Sequence, residues 1–200
     1  MRVSVRRATA ADLDPASDAL ADAFCDYPWT RWTVDRDGHV DRIRALQRLF
    51  MERVALPYGE VWVAEDRGVV IAAAIWSVPG ALVPASVLSA FDAERAELEG
   101  ARSGASTEAE AHVAGSRPAT PHYYLGAVGT RRDYQRRGVG QALLAPVIDR
   151  AAATGFDVFL ETSAVENLEF YGRLGFVTAA ESTVPGGGPP VWAMRRAHRV

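Results

Sequence analysis

Apolar residues recur along the chain at two spacings, one helical and one alternating. Val40, Ile43, Leu46, Phe50 and Val54 fall three or four residues apart, so 36–55 is predicted as an amphipathic helix that Pro57 and Gly59 terminate. Leu13, Leu20, Ala23 and Phe24 mark an earlier helix, with Thr9 or Asp12 as its cap. Val139, Leu143, Val147 and Ala151 mark a third over 139–153, which Pro146 is expected to kink because proline donates no backbone hydrogen bond. A fourth covers 165–174 and stops at Gly175.

Short β-rich runs fill much of the remainder. They are 2–7, 123–128 (YYLGAV), 157–160, 176–180 and 191–194, together with EVWVAED and VVIAAAIWSV, which Arg67-Gly68 should join as an antiparallel hairpin. DYPWTRWTV, interrupted by Pro28, reads as a loop, and 186–190 as a turn-rich one. Residues 79–120 are least defined, with helix-like stretches at 87–99 and 108–113; a flap over a site and a plain linker both fit them. Antiparallel pairing early and strand–helix–strand units late predict one α+β (mixed α/β) domain over 1–200, a central sheet flanked by helices.

Composition narrows the function. The 22 basic and 25 acidic residues give a net charge of -3, so neither nucleic acid nor a membrane surface is an expected partner. The longest apolar run, 69–76, is too short to span a bilayer. Cys25 is the single cysteine, and no apolar run follows MRVSVRR, so a reducing cytoplasm is expected rather than secretion. A covalent role for Cys25 would need an activating partner, and no histidine pairing is suggested. The four histidines, His39, His112, His122 and His198, lack metal-ligand spacing, and no metal is expected.

One segment departs from the overall charge. RRDYQRR at 131–137 carries four arginines against one aspartate and precedes Gly138 and Gly140 at a helix start. Free amides and the helix dipole there favour an anion, which suits a diphosphate. Exposed arginines beside glycines used for tight packing fit the same letters. A Walker motif is excluded, since no Gly-Lys-Ser/Thr follows.

Gln135-Arg136-Arg137-Gly138-Val139-Gly140 resembles the Q/R-x-x-G-x-G/A acetyl-CoA motif of the GNAT N-acetyltransferase superfamily, and LETSAVENLEFYGRLGF at 160–176 resembles its second signature. AFCDYPWTRWTVD, GEVWVAEDRG and the terminal VWAM are similar to the puromycin N-acetyltransferase branch, with 79–120 matching least. The resemblance implies a mostly antiparallel sheet whose central strand pair splays apart. It implies that the loop from Gln135 to Gly140 binds the CoA pyrophosphate, largely through backbone amides from Arg136 on, and that Ala127 and Val128, beside Gly126, pair with the pantetheine arm. An amide near Val128 would polarise the thioester carbonyl. Asn167 would lie near the pantetheine or phosphate arm. Tyr171, on the same helix face, would be the general acid toward the departing sulfur.

The base that deprotonates the amine is less defined. Glu161 comes first, His122 second, and Glu65 is a further acceptor-site carboxylate. Tyr27, Trp29 and Trp32 would form an acceptor pocket for a flat moiety such as the methoxyphenyl or purine end of a puromycin-like antibiotic. The expected activity is therefore acetyl transfer from acetyl-CoA to a small-molecule primary amine, with antibiotic resistance as a role. Polyamines, amino-acid derivatives and protein N-termini stay open as acceptors. The rival is a non-catalytic acyl-CoA-binding regulatory domain. Nothing in the sequence decides between a monomer and a homodimer.

Overall fold

β-Branched and aromatic residues on either side of Arg67-Gly68 fold back on each other in the computed structural model, which describes residues 3–198. β2 (Glu60–Asp66) and β3 (Val69–Ser77) pair antiparallel. Arg67 and Gly68 both adopt left-handed φ, 53° and 79°, the pattern of a type I′ hairpin turn. β1 (Val3–Arg7) joins β2; Arg2, assigned to this strand by its sequence pattern, lies outside the described residues. β4 (Tyr123–Thr130) lies antiparallel to β3. The helix α7 (Val139–Thr154) then crosses over to β5 (Val158–Thr162), which is therefore parallel to β4. β6 (Val177–Thr183) and β7 (Pro190–Arg196) complete a seven-stranded sheet in the order β1-β2-β3-β4-β5-β7-β6.

β3 is buried along all but its two end residues, so its side chains supply both cores alternately. Ala73 and Ile75 face α1 (Leu13–Phe24), packing with Leu20, Met51 and Val63. Ala72, Ala74 and Trp76 face α7, packing with Leu143, Leu144 and Val147. Gly129 lets α1 approach the sheet closely, since a Cβ there would stand 2.8 Å from the Ala23 Cβ. α7 runs unbroken through Pro146, because buried residues on both sides of the proline hold it against the sheet.

The helix expected over 36–55 is α3 (His39–Phe50) followed by a π-helical turn (Met51–Ala55) and the short α4 (Leu56–Tyr58). In an α-helix the Pro57 ring would collide with the Arg53 carbonyl. The chain widens instead, and the Leu56 N–H reaches the Met51 carbonyl five residues back. Gly59 then crosses β3 so closely that a Cβ would lie 2.3 Å from the Trp76 carbonyl oxygen.

Pro28, expected to keep its segment a loop, instead starts α2 (Pro28–Thr33). Proline is tolerated in the first turn of a helix, whose N–H groups have no intrahelical acceptor. The Thr30 and Thr33 hydroxyls tie the segment down by donating to the Tyr27 and Trp29 carbonyls, both at 2.9 Å. The segment 79–120 carries two helices longer than expected, α5 (Ala85–Glu99) and α6 (Ser103–Ala114). They dock on the body of the domain: the Arg102 side chain donates to the Trp32 carbonyl at 2.6 Å, and Arg42 to the Leu98 carbonyl at 2.8 Å. The last helix, α8 (Glu166–Arg173), follows β5. Among the described residues no helix is long and apolar enough to cross a membrane.

Gly59→Ala should destabilise the fold by about 1–3 kcal/mol through this backbone clash, read as a lower Tm in thermal denaturation. A second expectation concerns acid. Burial disfavours the Asp157 carboxylate, but hydrogen bonds from His198 and Arg195 outweigh it and bring its pKa down to about 2. The unfolded-state value is roughly 3.9. This stabilisation is thus complete above that value and is lost as pH falls toward 2. Asp157→Asn should flatten the pH dependence of stability there by roughly 2 kcal/mol, measured by denaturant unfolding at pH 2 to 5.

Candidate active site

β4 and β5 hydrogen-bond only through the register Tyr123↔Val158, Tyr124↔Phe159 and Leu125↔Leu160, and beyond Leu125 they part. On its other side β4 bulges: Trp76 pairs with Leu125 and Ile75 with Ala127, so Gly126 has no partner. A Cβ on Gly126 would meet nothing closer than 3.6 Å, so its immediate neighbours do not require the glycine. A cavity of about 120 Å³ occupies this gap, with Gly126, Ala127 and Val128 along one side. Asn167 and Tyr171 of α8 line it, as do Tyr27 and Trp29 from the entry to α2.

The basic loop lies just beyond β4. Arg136 (φ 59°) and Gly138 (φ 78°) both take the left-handed conformation, and no atom stands within 4 Å of a Cβ built on Gly138. The first backbone bond of α7 runs from the Ala142 N–H to the Gly138 carbonyl at 3.0 Å. The amides of Val139, Gly140 and Gln141 therefore have no acceptor inside the helix. Gln135, Arg136 and Arg137 are exposed around this cradle, while the Val139 side chain is buried in the core. Gly140 has a packing role, since a Cβ there would sit 3.3 Å from the Phe170 ring. Phe170 and Tyr171 are consecutive, so neighbouring residues of α8 reach the loop helix and the cavity.

The Tyr171 ring packs against those of Phe170 and Phe176, with centroids at 5.1 and 5.7 Å. Its hydroxyl has no hydrogen-bond partner among the described residues, and burial raises its pKa, so it stays a protonated phenol through the neutral range. Asn167 donates from Nδ2 to the Thr162 Oγ1 at 2.9 Å. The Tyr27 hydroxyl lies 3.0 Å from the same Oγ1 and accepts the Ser163 N–H at 2.6 Å. These bonds pin the entry of α2 to the start of α8.

Charge also gathers in the cavity wall. Arg117 donates from Nε to Glu161 Oε1 at 2.9 Å and from Nη2 to Glu161 Oε2 at 3.1 Å. The Tyr124 hydroxyl also donates to Oε2, at 2.6 Å, and the Arg117 guanidinium lies 4.8 Å from the centroid of that ring. Burial, and then the Glu161 charge, push the Tyr124 phenol well up. Arg117 reaches Glu110 as well, from Nη2 to Oε2 at 3.4 Å. Glu110, Arg117 and Tyr124 carry no local sequence signal. Two of them lie in the segment 79–120, and Arg117 and Tyr124 meet Glu161 only through the path of the chain after α6 and the β4–β5 register.

Other sequence-selected residues lie elsewhere. His122 places Nδ1 2.7 Å from the Thr120 carbonyl and its ring against Phe159, and it does not line the cavity. Glu65 accepts from Arg6 Nε at 3.0 Å, on the β1–β2 side of the sheet. Trp32 packs in a satellite cluster with Val113, Val184 and Val191, and Trp29 joins both that cluster and the cavity. Cys25 hydrogen-bonds the Asp22 carbonyl at 3.3 Å and contacts Asp26 and Arg132. Among the described residues no group of three or more His, Cys, Asp or Glu side chains is placed to hold a metal ion.

Similar proteins share this fold. The acetyltransferase (GNAT) family pattern matches residues 21–176. A Corynebacterium glutamicum protein described as histone acetyltransferase HPA2 and related acetyltransferase is 29% identical, with a TM-score of 0.74, over 100% of this chain and 98% of its own. The polyamine N-acetyltransferase of Drosophila melanogaster, described as catalysing formation of N-acetylagmatine, is 16% identical, with a TM-score of 0.61, over 98% and 100%. The yncA protein of Salmonella typhimurium, solved with its cofactor acetyl-CoA, is 17% identical, with a TM-score of 0.56, over 98% and 94%. The family match takes in the β4–β5 gap, the glycine loop and α8, and this chain belongs to the acetyltransferase (GNAT) family.

Proposed function

We propose that the protein transfers the acetyl group of acetyl-CoA to the primary amine of a small molecule. The observation that carries this reading is the gap beyond Leu125, open beside β4, with free amides at the next helix start and a buried tyrosine hydroxyl in its wall. The residues fit the cofactor. The amides from Arg136 to Gly140 would hold its pyrophosphate, in space left empty around Gly138. The backbone of Ala127 and Val128, unpaired toward β5, would hold the amide-bearing pantetheine arm. Asn167 commits its Nδ2 to Thr162 and keeps Oδ1 for the same arm. Bound there, acetyl-CoA supplies an acetyl group already activated as a thioester.

Tyr171 holds a proton within the cavity, kept on the phenol through the neutral range by burial, and can give it to a departing thiolate. Tyr27 and Trp29 put aromatic surface at the acceptor end. The acceptor we propose first is accordingly an amine with a flat aromatic moiety, such as a puromycin-like aminonucleoside. Antibiotic resistance would follow from that acceptor.

Tyr171→Phe should lower kcat by about 100-fold or more while leaving acetyl-CoA affinity unchanged, followed by thiol release and calorimetry. Gly138→Val puts a branched side chain at φ 78° into the open cradle, and should weaken acetyl-CoA binding at least about tenfold by calorimetry, while the strained backbone also lowers Tm. A screen with labelled acetyl-CoA tests the acceptor. Acetylation of polyamines or peptide N-termini but not of puromycin would overturn the aromatic acceptor and leave acetyl transfer standing. Tight acetyl-CoA binding without thiol release across the whole panel would favour a non-catalytic binding domain.

A further inference from the structure

Three charged side chains line the cavity: Glu110, Arg117 and Glu161. Their hydrogen bonds are unequal. Glu161 is committed at both oxygens, to Arg117 through two bonds and to Tyr124 through a third, and its side chain is only 9% exposed. Glu110 has one contact, at 3.4 Å, through Oε2; its Oε1 accepts no bond among the described residues, and its side chain is 42% exposed. Arg117 neutralises one of the two carboxylates, so the wall carries a formal excess of one negative charge. The other ionisable groups that act on or feel Glu110 are Tyr124 on β4 and Glu99 at the end of α5. Glu99 is occupied in its own cluster, accepting from Ser106 at 2.5 Å and Arg95 at 3.1 Å.

We infer that Glu110 receives the ammonium of the acceptor and takes its proton, while Glu161 serves to hold Arg117 and Tyr124 in place. This rests on the acetyl-transfer reading above. An ammonium has no lone pair and must lose a proton before it can attack; the exposed, under-coordinated carboxylate accepts it. The nitrogen–carbon bond then forms as the carbon–sulfur bond breaks. The amine gives up two protons in all: one passes to Glu110 and on to solvent, and the other replaces the proton that Tyr171 delivers to sulfur. The acceptor class is an amine that is cationic in solution.

The test is the pH profile of kcat/KM for any amine the enzyme acetylates, in wild type, Glu110→Gln, Glu110→Asp and Glu161→Gln. Wild type should show a plateau between the carboxylate pKa and that of the free amine. Glu110→Gln should lose about 100-fold at neutral pH and rise about tenfold per pH unit toward the amine pKa, because only the free amine then reacts. Acetyl-CoA affinity should not change, and Glu110→Asp should restore part of the plateau. Glu161→Gln should lower Tm and raise the KM of the amine but keep the plateau. A plateau retained in Glu110→Gln, or lost in Glu161→Gln alone, overturns the assignment. Wild-type protein that acetylates no amine overturns the acetyl-transfer reading and this assignment with it.

Discussion

The interruption of strand pairing beyond Leu125 is the constraint on which the rest depends. A central sheet normally satisfies every backbone amide and carbonyl with its neighbours. Here β4 bulges at Gly126 toward β3 and separates from β5 on its other side. Unpaired backbone in the middle of a domain is costly unless something hydrogen-bonds it. A ligand with amides along its length would restore what the sheet gives up. The candidate site is therefore built on a defect in the ladder rather than on a side chain.

The surroundings hold that defect open. α7 packs behind β3 and β4 through Leu143, Leu144 and Val147, and its first amides are left free next to the end of β4. α8 brings Phe170 against Gly140 and Tyr171 into the cavity. The Tyr27–Thr162–Asn167 bonds join the entry of α2 to the β5–α8 junction. Residues on both sides of the gap are thus tied by packing and hydrogen bonds that do not cross it.

The segment 79–120 brings charge to the cavity through Glu110 and Arg117. Arg117 lies between two carboxylates and over an aromatic ring, an arrangement that orients Glu161 and leaves Glu110 with spare acceptor capacity. Two kinds of surface therefore line the cavity. The β4 backbone faces it from Gly126 to Val128, and the charged side chains of Glu110, Arg117 and Glu161 face it as well.

Much of the framework was legible from local pattern. The amphipathic periodicities placed α1, α3 and α7, Gly175 marked the end of α8, and alternation with Arg67-Gly68 placed the β2–β3 hairpin. Gly138 and the free amides of α7 were legible for the same reason, since a left-handed residue at a helix start is a local property. Pro28 was misleading because the same residue breaks a helix interior and begins a helix; only the docking around it, such as the Arg102 bond to the Trp32 carbonyl, decides between them. The π-helical turn was hidden because it answers a clash between Pro57 and its own preceding turn.

By itself, then, the sequence determined most of the strands and longer helices, the glycine loop at a helix start and the tyrosine four residues after Asn167. Each follows from residues within one or two turns of each other. The tertiary structure alone decided where pairing stops, which carboxylate is locked and which remains open. Glu161 meets Arg117 across 44 residues, Tyr124 across 37, and neither distance has a signature along the chain. His122 and Glu65 carry side chains suited to catalysis, yet sheet register and edge position set them apart from the cavity. Composition can supply such groups; only packing decides which of them share a site.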